Sequence, residues 1–151
     1  MSNTIAVIGA TGNIGRALTE KLLKSGAKVR AIGRSQNKLA PLAALGAEVH
    51  AGSVDDTVFV TGALRGADAA FLMIPPHYNA PDMRADQRRL GASLIEAVKQ
   101  SGIKRVVVLS SLGGGLSAGT GPILGLHEFE NAVRGVAGLS AVILRAAFFM
   151  E

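Results

Sequence analysis

At 151 residues the chain has the length of one domain, enough to bury roughly 70 % of the surface its unfolded form would expose. Hydrophobic residues make up 48 % and charged residues 18 %, and no apolar run approaches the about 20 residues of a membrane-spanning helix, so a soluble protein with no membrane partner is expected. The absence of cysteine excludes disulfides, thiol nucleophiles and thiolate metal sites, and the net charge of +5 comes from scattered basic residues without interleaved aromatics, so no nucleic-acid partner is expected.

The start, Met1-Ser2-Asn3-Thr4, runs straight into an apolar β-branched segment and leaves no room for a cleavable leader, which predicts a cytoplasmic location. That segment, Thr4–Ile8, reads as a buried strand. The glycine turn Gly9-Ala10-Thr11-Gly12-Asn13-Ile14-Gly15 follows it and opens a helix predicted over 13–25, with Ile14, Ala17, Leu18 and Leu22 on one side. The three glycines meet separate demands, with a tight turn at Gly9, close backbone approach to a pyrophosphate at Gly12 and helix-to-strand packing at Gly15. The amides and positive dipole end of the helix then hold the phosphates, so residues 9–15 are the expected grip on a dinucleotide.

A second strand over 28–32 ends in Gly33-Arg34-Ser35. An acidic residue here recognises the ribose of NAD, whereas a basic one accommodates the extra phosphate of NADP. No Asp or Glu occurs between Glu20 and Glu48, and Arg34 offers a bidentate fork with Ser35 and Lys38 beside it, which predicts NADP(H). The next helix is expected over 38–45, starting late or kinking at Pro41. After a strand over 48–51 comes Gly52-Ser53-Val54-Asp55 at the sheet edge, where Ser53 and Val54 are expected to contact the cofactor and Asp55 either accepts the adenine amine or caps the following helix, 57–64.

The fourth strand, 69–73, leads into Met73-Ile74-Pro75-Pro76, expected to position the nicotinamide end. The longest helix, 82–101, carries Leu90, Leu94 and Val98 on one face and either covers the sheet or meets a second subunit in a homodimer. The strand over 105–109 is nearly pure Val and Leu, the composition of a strand buried on both faces. Ser110 and Ser111 follow it, able to bond a substrate or the cofactor carboxamide, or to cap local backbone. Residues 112–121 hold five glycines and read as a lid or a mobile loop. A helix over 123–136 presents His127 as a donor to a developing oxyanion, and a last strand runs over 141–144. Gly26, Gly46, Gly66 and Gly102 fall where left-handed helix caps belong. His50 and His77 lack metal-site spacing to carboxylates and read as structural.

Strand and helix alternate throughout, the rhythm of an α/β doubly wound parallel sheet of Rossmann type, strand order 3-2-1-4-5-6, in three αβα layers, with residues 1–151 forming one NAD(P)-binding domain.

The glycine turn, Arg34, Gly52-Ser53-Val54-Asp55, Val108-Leu109-Ser110-Ser111-Leu112 and the ending Ile143-Leu144-Arg145-Ala146-Ala147-Phe148-Phe149-Met150-Glu151 together resemble the NmrA-like branch of the atypical short-chain dehydrogenases/reductases, over essentially the whole chain. Within that branch, His127-Glu128-Phe129-Glu130-Asn131 ahead of Ser140–Arg145 is most similar to NADPH-dependent quinone oxidoreductases and azoreductase-like proteins. Ala146 stands where the branch usually has proline. Members usually continue for about as many residues again to form a substrate lobe, so the resemblance implies that this lobe lies outside the chain.

Conventional short-chain dehydrogenases use Tyr-x-x-x-Lys, and here the single tyrosine, Tyr78, is followed four residues on by Asp82. A quinone is a better electrophile than a ketone and takes its protons from water, so positioning by Ser110, Ser111 and His127 suffices for a quinone-like acceptor. The resemblance equally implies an alternative, a nucleotide-sensing regulator that binds NADP without turnover.

Overall fold

The computed structural model describes residues 3–147. The family-like ending from Phe148 to Glu151, with its aromatic pair, lies outside the described residues. Six strands alternate with five helices: β1 (Thr4–Ile8), α1 (Asn13–Lys24), β2 (Lys28–Gly33), α2 (Gln36–Ala44), β3 (Glu48–Ala51), α3 (Thr57–Leu64), β4 (Ala69–Leu72), α4 (Met83–Ser101), β5 (Arg105–Ser111), α5 (Ile123–Arg134) and β6 (Ser140–Ala146). The strands are all parallel in the order β3-β2-β1-β4-β5-β6, the Rossmann arrangement expected.

Period-two alternation divides the strand side chains between two cores. Ala6, Ile8, Ile32, Leu72, Val106 and Val108 pack under α3, α4 and α5 with Val60, Leu90, Leu94 and Phe129. Val7, Val29, Ala31 and Phe71 face the other way, against Leu39, Leu42 and the half-buried Ile14, Leu18 and Leu22 of α1 and α2. Gly26, Gly46, Gly66 and Gly102 all have φ between 75° and 102°, so the helix ends fall where the sequence puts them.

Three expectations are corrected. Helix α2 neither starts late nor waits for Pro41: it begins at Gln36 because the Ser35 hydroxyl accepts the Lys38 amide as an N-cap, and Pro41 sits on its exposed side. Strand β5 runs two residues further, because Ser110 and Ser111 pair with Arg145 and Ala146 of β6. Nor is β5 buried on both faces: Val106, Val108 and Ser110 are buried, whereas Val107, Leu109 and Ser111 on the α1 side are only half-buried, Val107 and Leu109 packing at the margin of that core. On the same flank Val142 and Leu144 of the edge strand are 55 % and 49 % exposed.

Candidate functional site

The β1–α1 turn carries its three glycines for separate reasons. Gly9 has φ +73°, which L side chains rarely adopt, and a side chain there would run into Met73. A Cβ at Gly15 would fall inside the Gly9 carbonyl and within 2.9 Å of the Ala10 α-carbon, so only glycine lets α1 approach β1 this closely. Gly12 is the N-cap of α1 and supplies no side-chain cap, unlike Ser35, Asp56 and Asp82 at the starts of α2, α3 and α4. The first intrahelical bond is Arg16 N–H to the Gly12 carbonyl at 2.8 Å, so the helix starts on a glycine whose position brings no side chain over the helix end.

At this carboxyl edge of the sheet, Gly9, Thr11, Gly12, Ile32, Gly33, Arg34, Gly52, Ser53, Val54, Met73, Pro75, Pro76 and His77 line a cleft of about 200 Å³. It joins the ends of β1, β2, β3 and β4, the crevice where open α/β sheets take their ligands. A larger groove of about 420 Å³ runs between α4 and α5, but it contains none of the expected cofactor residues. The glycine-walled cleft has the chemistry, and we take it as the site.

Half of the expected cofactor residues line it, namely Gly9, Thr11, Gly12, Arg34, Ser53, Val54, Met73 and Pro75, and the other half do not. Ala10 and Gly15 are buried supports beneath the turn rather than walls. Asn13 and Ile14 open α1 next to the cleft without lining it. The Ser35 hydroxyl is engaged in its cap, and Lys38 is exposed on the first turn of α2, outside the lining. Ile74 turns away from the cleft into the core, where it packs near Gly91 and α4. The capping alternative for Asp55 is corrected: the N-cap of α3 is Asp56, which accepts the Phe59 amide at 3.0 Å. Asp55 instead takes the Arg89 guanidinium at 2.5 Å, and the Ser53 hydroxyl, then Arg89, hold its carboxyl below its ordinary range.

His77, which the sequence presents only as structural, lies in the cleft wall. Its Nε2 is 3.4 Å from Arg34 Nη1 and its Nδ1 is 2.6 Å from Asp86 Oδ2. Asp86 is also bound by Arg89, which together with His77 lowers its carboxyl from the usual range. One chain of contacts, Arg34 to His77 to Asp86 to Arg89 to Asp55 to Ser53, therefore rims the cleft across three loops. Only its Asp86–Arg89 step, at i,i+3 on α4, is a sequence spacing; the links to Arg34, His77 and Asp55 join elements distant in the chain.

The residues expected to act on substrate are organised differently. Ser110 is 5 % exposed and donates its proton to Glu130 at 2.6 Å, so its side chain anchors a core carboxylate rather than reaching a substrate. Glu130 is fully buried and also bonded by Arg145, at 2.7 and 3.1 Å, and by Arg134 at 3.3 Å. The Arg145 guanidinium, aided by Ser110 and Arg134, holds its carboxyl down at about 2. His127 Nδ1 meets the Gly114 carbonyl at 2.8 Å. That oxygen can only accept, so the ring proton is on Nδ1 and Nε2 accepts the Asn131 amide at 3.1 Å. Both ring nitrogens are thus engaged in holding the loop, and the oxyanion-donor role has no free N–H. Ser111 is half-exposed at the end of β5 and is the serine of the pair that faces outward.

The loop after β5 is tied down in its first half. Gly114 is buried on Ser110 and Glu130, its amide donates to the Ser111 carbonyl at 2.9 Å, and Gly115 lies against the Arg145 guanidinium. Residues 115–119 form an exposed crest, and Leu112, Gly121 and Pro122 are exposed as well. Tyr78 is 81 % exposed. Among the described residues no group of His, Asp or Glu is arranged to hold a metal, and no helix is long and apolar enough to cross a membrane.

Comparison with known proteins places this architecture. The model of the NmrA-like family matches residues 1–140. Quinone oxidoreductase 2 of Escherichia coli is 31 % identical over 97 % of this chain and 49 % of its own length, and the NAD(P)H azoreductase of Xenophilus azovorans is 29 % identical over 97 % and 49 %. The crystal structure of Citrobacter sp. triphenylmethane reductase complexed with NADP(H) superposes with a TM-score of 0.82 at 25 % identity, covering 97 % of this chain and 50 % of that one. The chain thus spans about half the length of these relatives.

Proposed function

The chain belongs to the NmrA-like family, and on that premise we propose that it is the cofactor-binding portion of an NADPH-dependent oxidoreductase that reduces quinone-like acceptors. The observation that carries the reading is the pairing of a helix that starts on glycine at the cleft wall with Arg34 at the opposite wall of the same cleft. The amides after Gly12 receive the diphosphate, and Arg34, whose contact in the cleft is an imidazole rather than a carboxylate, receives the 2′-phosphate. Met73 and Pro75 wall the end nearest β4, where they orient the nicotinamide and keep water from its face. Bound there, NADPH supplies a hydride. Ser111 is the side chain available to hydrogen-bond the carboxamide or the acceptor, while Ser110 and His127 hold the strand and loop that present it. A quinone's reduced oxygens take their protons from water, so no tyrosine–lysine pair is needed.

The engagement of Ser110 and His127 in internal bonds favours a second reading, an NADP-binding regulator without turnover. Oxidation of NADPH followed at 340 nm with a simple benzoquinone separates the two. Saturable turnover with NADPH supports the reductase, whereas tight NADPH binding with no turnover rejects it in favour of the regulator.

A further inference from the structure

Resting on the reading of the cleft as an NADP site, we propose that His77, oriented by Asp86, is a second recognition residue for the 2′-phosphate, meeting it from the β4–α4 loop opposite Arg34. Both side chains line the cleft, and their tips converge at 3.4 Å from loops that follow different strands. A guanidinium and an imidazole that becomes a donor on protonation, carried by separate loops and aimed at one point, form a clamp for a group with several acceptor oxygens, and a nucleotide lacking that group has nothing to place there.

The imidazole is not free to turn. Its Nδ1–H is held by Asp86 at 2.6 Å, and Asp86, only 14 % exposed, is fixed on its other oxygen by Arg89. Arg89 is anchored in turn by Asp55 on the β3–α3 loop. The charged groups facing the imidazole are therefore Arg34 from the β2–α2 loop and Asp86 from α4, with Arg89 and Asp55 behind the carboxylate. With Nδ1 protonated, Nε2 is the acceptor for the Arg34 guanidinium. When a phosphate enters, the Arg34–His77 hydrogen bond breaks and the guanidinium turns to the phosphate oxygens. The imidazole takes one proton from solvent, so that Nδ1–H remains on Asp86 and Nε2–H donates to the phosphate. The carboxylate on its far side stabilises the imidazolium. His77 thus answers to the charge of the ligand, which a purely structural histidine does not.

The test is calorimetric titration of NADP+ and NAD+ into the wild-type protein and the Arg34→Ala, His77→Gln and Asp86→Asn variants, in two buffers of different ionisation heat. His77→Gln is expected to weaken NADP+ about tenfold and leave NAD+ within about twofold, the retained NAD+ binding reporting an intact fold. Asp86→Asn should give a smaller loss, again confined to NADP+. Proton uptake on NADP+ binding should be greater in the wild type than in His77→Gln, a comparison that subtracts the phosphate's own titration. If His77→Gln weakens both nucleotides equally, or neither, while Arg34→Ala abolishes the preference for NADP+, the clamp is wrong and the NADP site stands. If the wild-type protein binds neither nucleotide, the proposal and the reading beneath it both fall.

Discussion

The two halves of the sheet's carboxyl edge use the same kinds of side chain to opposite ends. Around β1, β2 and β4, α1 begins at a glycine with no side-chain cap, and Arg34 and His77 touch only at their tips across an open cleft. Around β5 and β6, the serine, carboxylate, guanidinium and imidazole close on each other: Ser110 and Arg145 on Glu130, His127 on Gly114 and Asn131. One half keeps hydrogen-bonding capacity for a ligand, and the other uses it to fix a strand, a helix and a glycine-rich loop in place. Polar residues at the edge of an α/β sheet are therefore not equivalent evidence for a site. What distinguishes them is whether their partners already lie within the protein.

That contrast is breakable. The largest effect is expected from Glu130→Ala, which leaves Arg145 and Ser110 without their buried acceptor and should cost about 3–5 kcal/mol in urea unfolding, while NADP+ affinity of the folded fraction stays within a few-fold. The same carboxylate predicts a pH signature. Its folded pKa of about 2 lies below its ordinary value of 4.5, so its stabilisation is complete above about pH 4.5 and is lost as pH falls towards 2. The amount is about 3 kcal/mol, and Glu130→Gln should flatten the unfolding free energy through that acid window relative to wild type. A Glu130→Gln protein with an unchanged acid profile would rule out this node as the acid-sensitive one.

Next in size is Gly15→Ala. The new methyl meets backbone that cannot yield, so about 2–3 kcal/mol of stability and nucleotide binding should be lost together, visible as a lower melting temperature that NADP+ no longer raises. Arg34→Ala should lower NADP+ affinity by about 1.5–3 kcal/mol and leave NAD+ unaffected in parallel titrations. Equal losses for both nucleotides would mean that Arg34 supports the loop and does not read the phosphate. The smallest effect belongs to His127→Ala, about 1 kcal/mol, concentrated as faster amide exchange over residues 113–116 with nucleotide affinity preserved. Loss of NADPH oxidation without any change in that exchange would instead assign the histidine to the chemistry.

The sheet and the glycine turn are legible in the sequence because each follows from local rules. Period-two apolar runs make strands, glycines at helix ends adopt positive φ, and Gly-x-x-Gly-x-x-Gly between a strand and a helix marks a tight turn into that helix. Arg34 is legible from the lack of any acid between Glu20 and Glu48. Misreadings arise where a side chain's direction depends on residues distant in the chain. Ser110 looks like a strand-end serine until Glu130, twenty residues on, takes its proton. Ile74 looks like a cleft residue until its position over Gly91 turns it inward. His77 looks inert because Arg34 and Asp86, which give it a role, come from β2's end and from α4. Helix α2 departs from expectation for a local reason, since the cap at Ser35 outweighs the proline.

The strand order has a kinetic corollary. The glycine turn lies over Met73, yet β1 and β4 are sheet neighbours whose first bridging bond, from the Thr4 amide to Asp68, spans 64 residues of chain. Three crossovers must be made before the floor of the cleft exists, and such distant pairings close slowly. A nucleotide therefore has little to recognise until collapse is nearly complete: it should retard unfolding while leaving the refolding rate almost untouched.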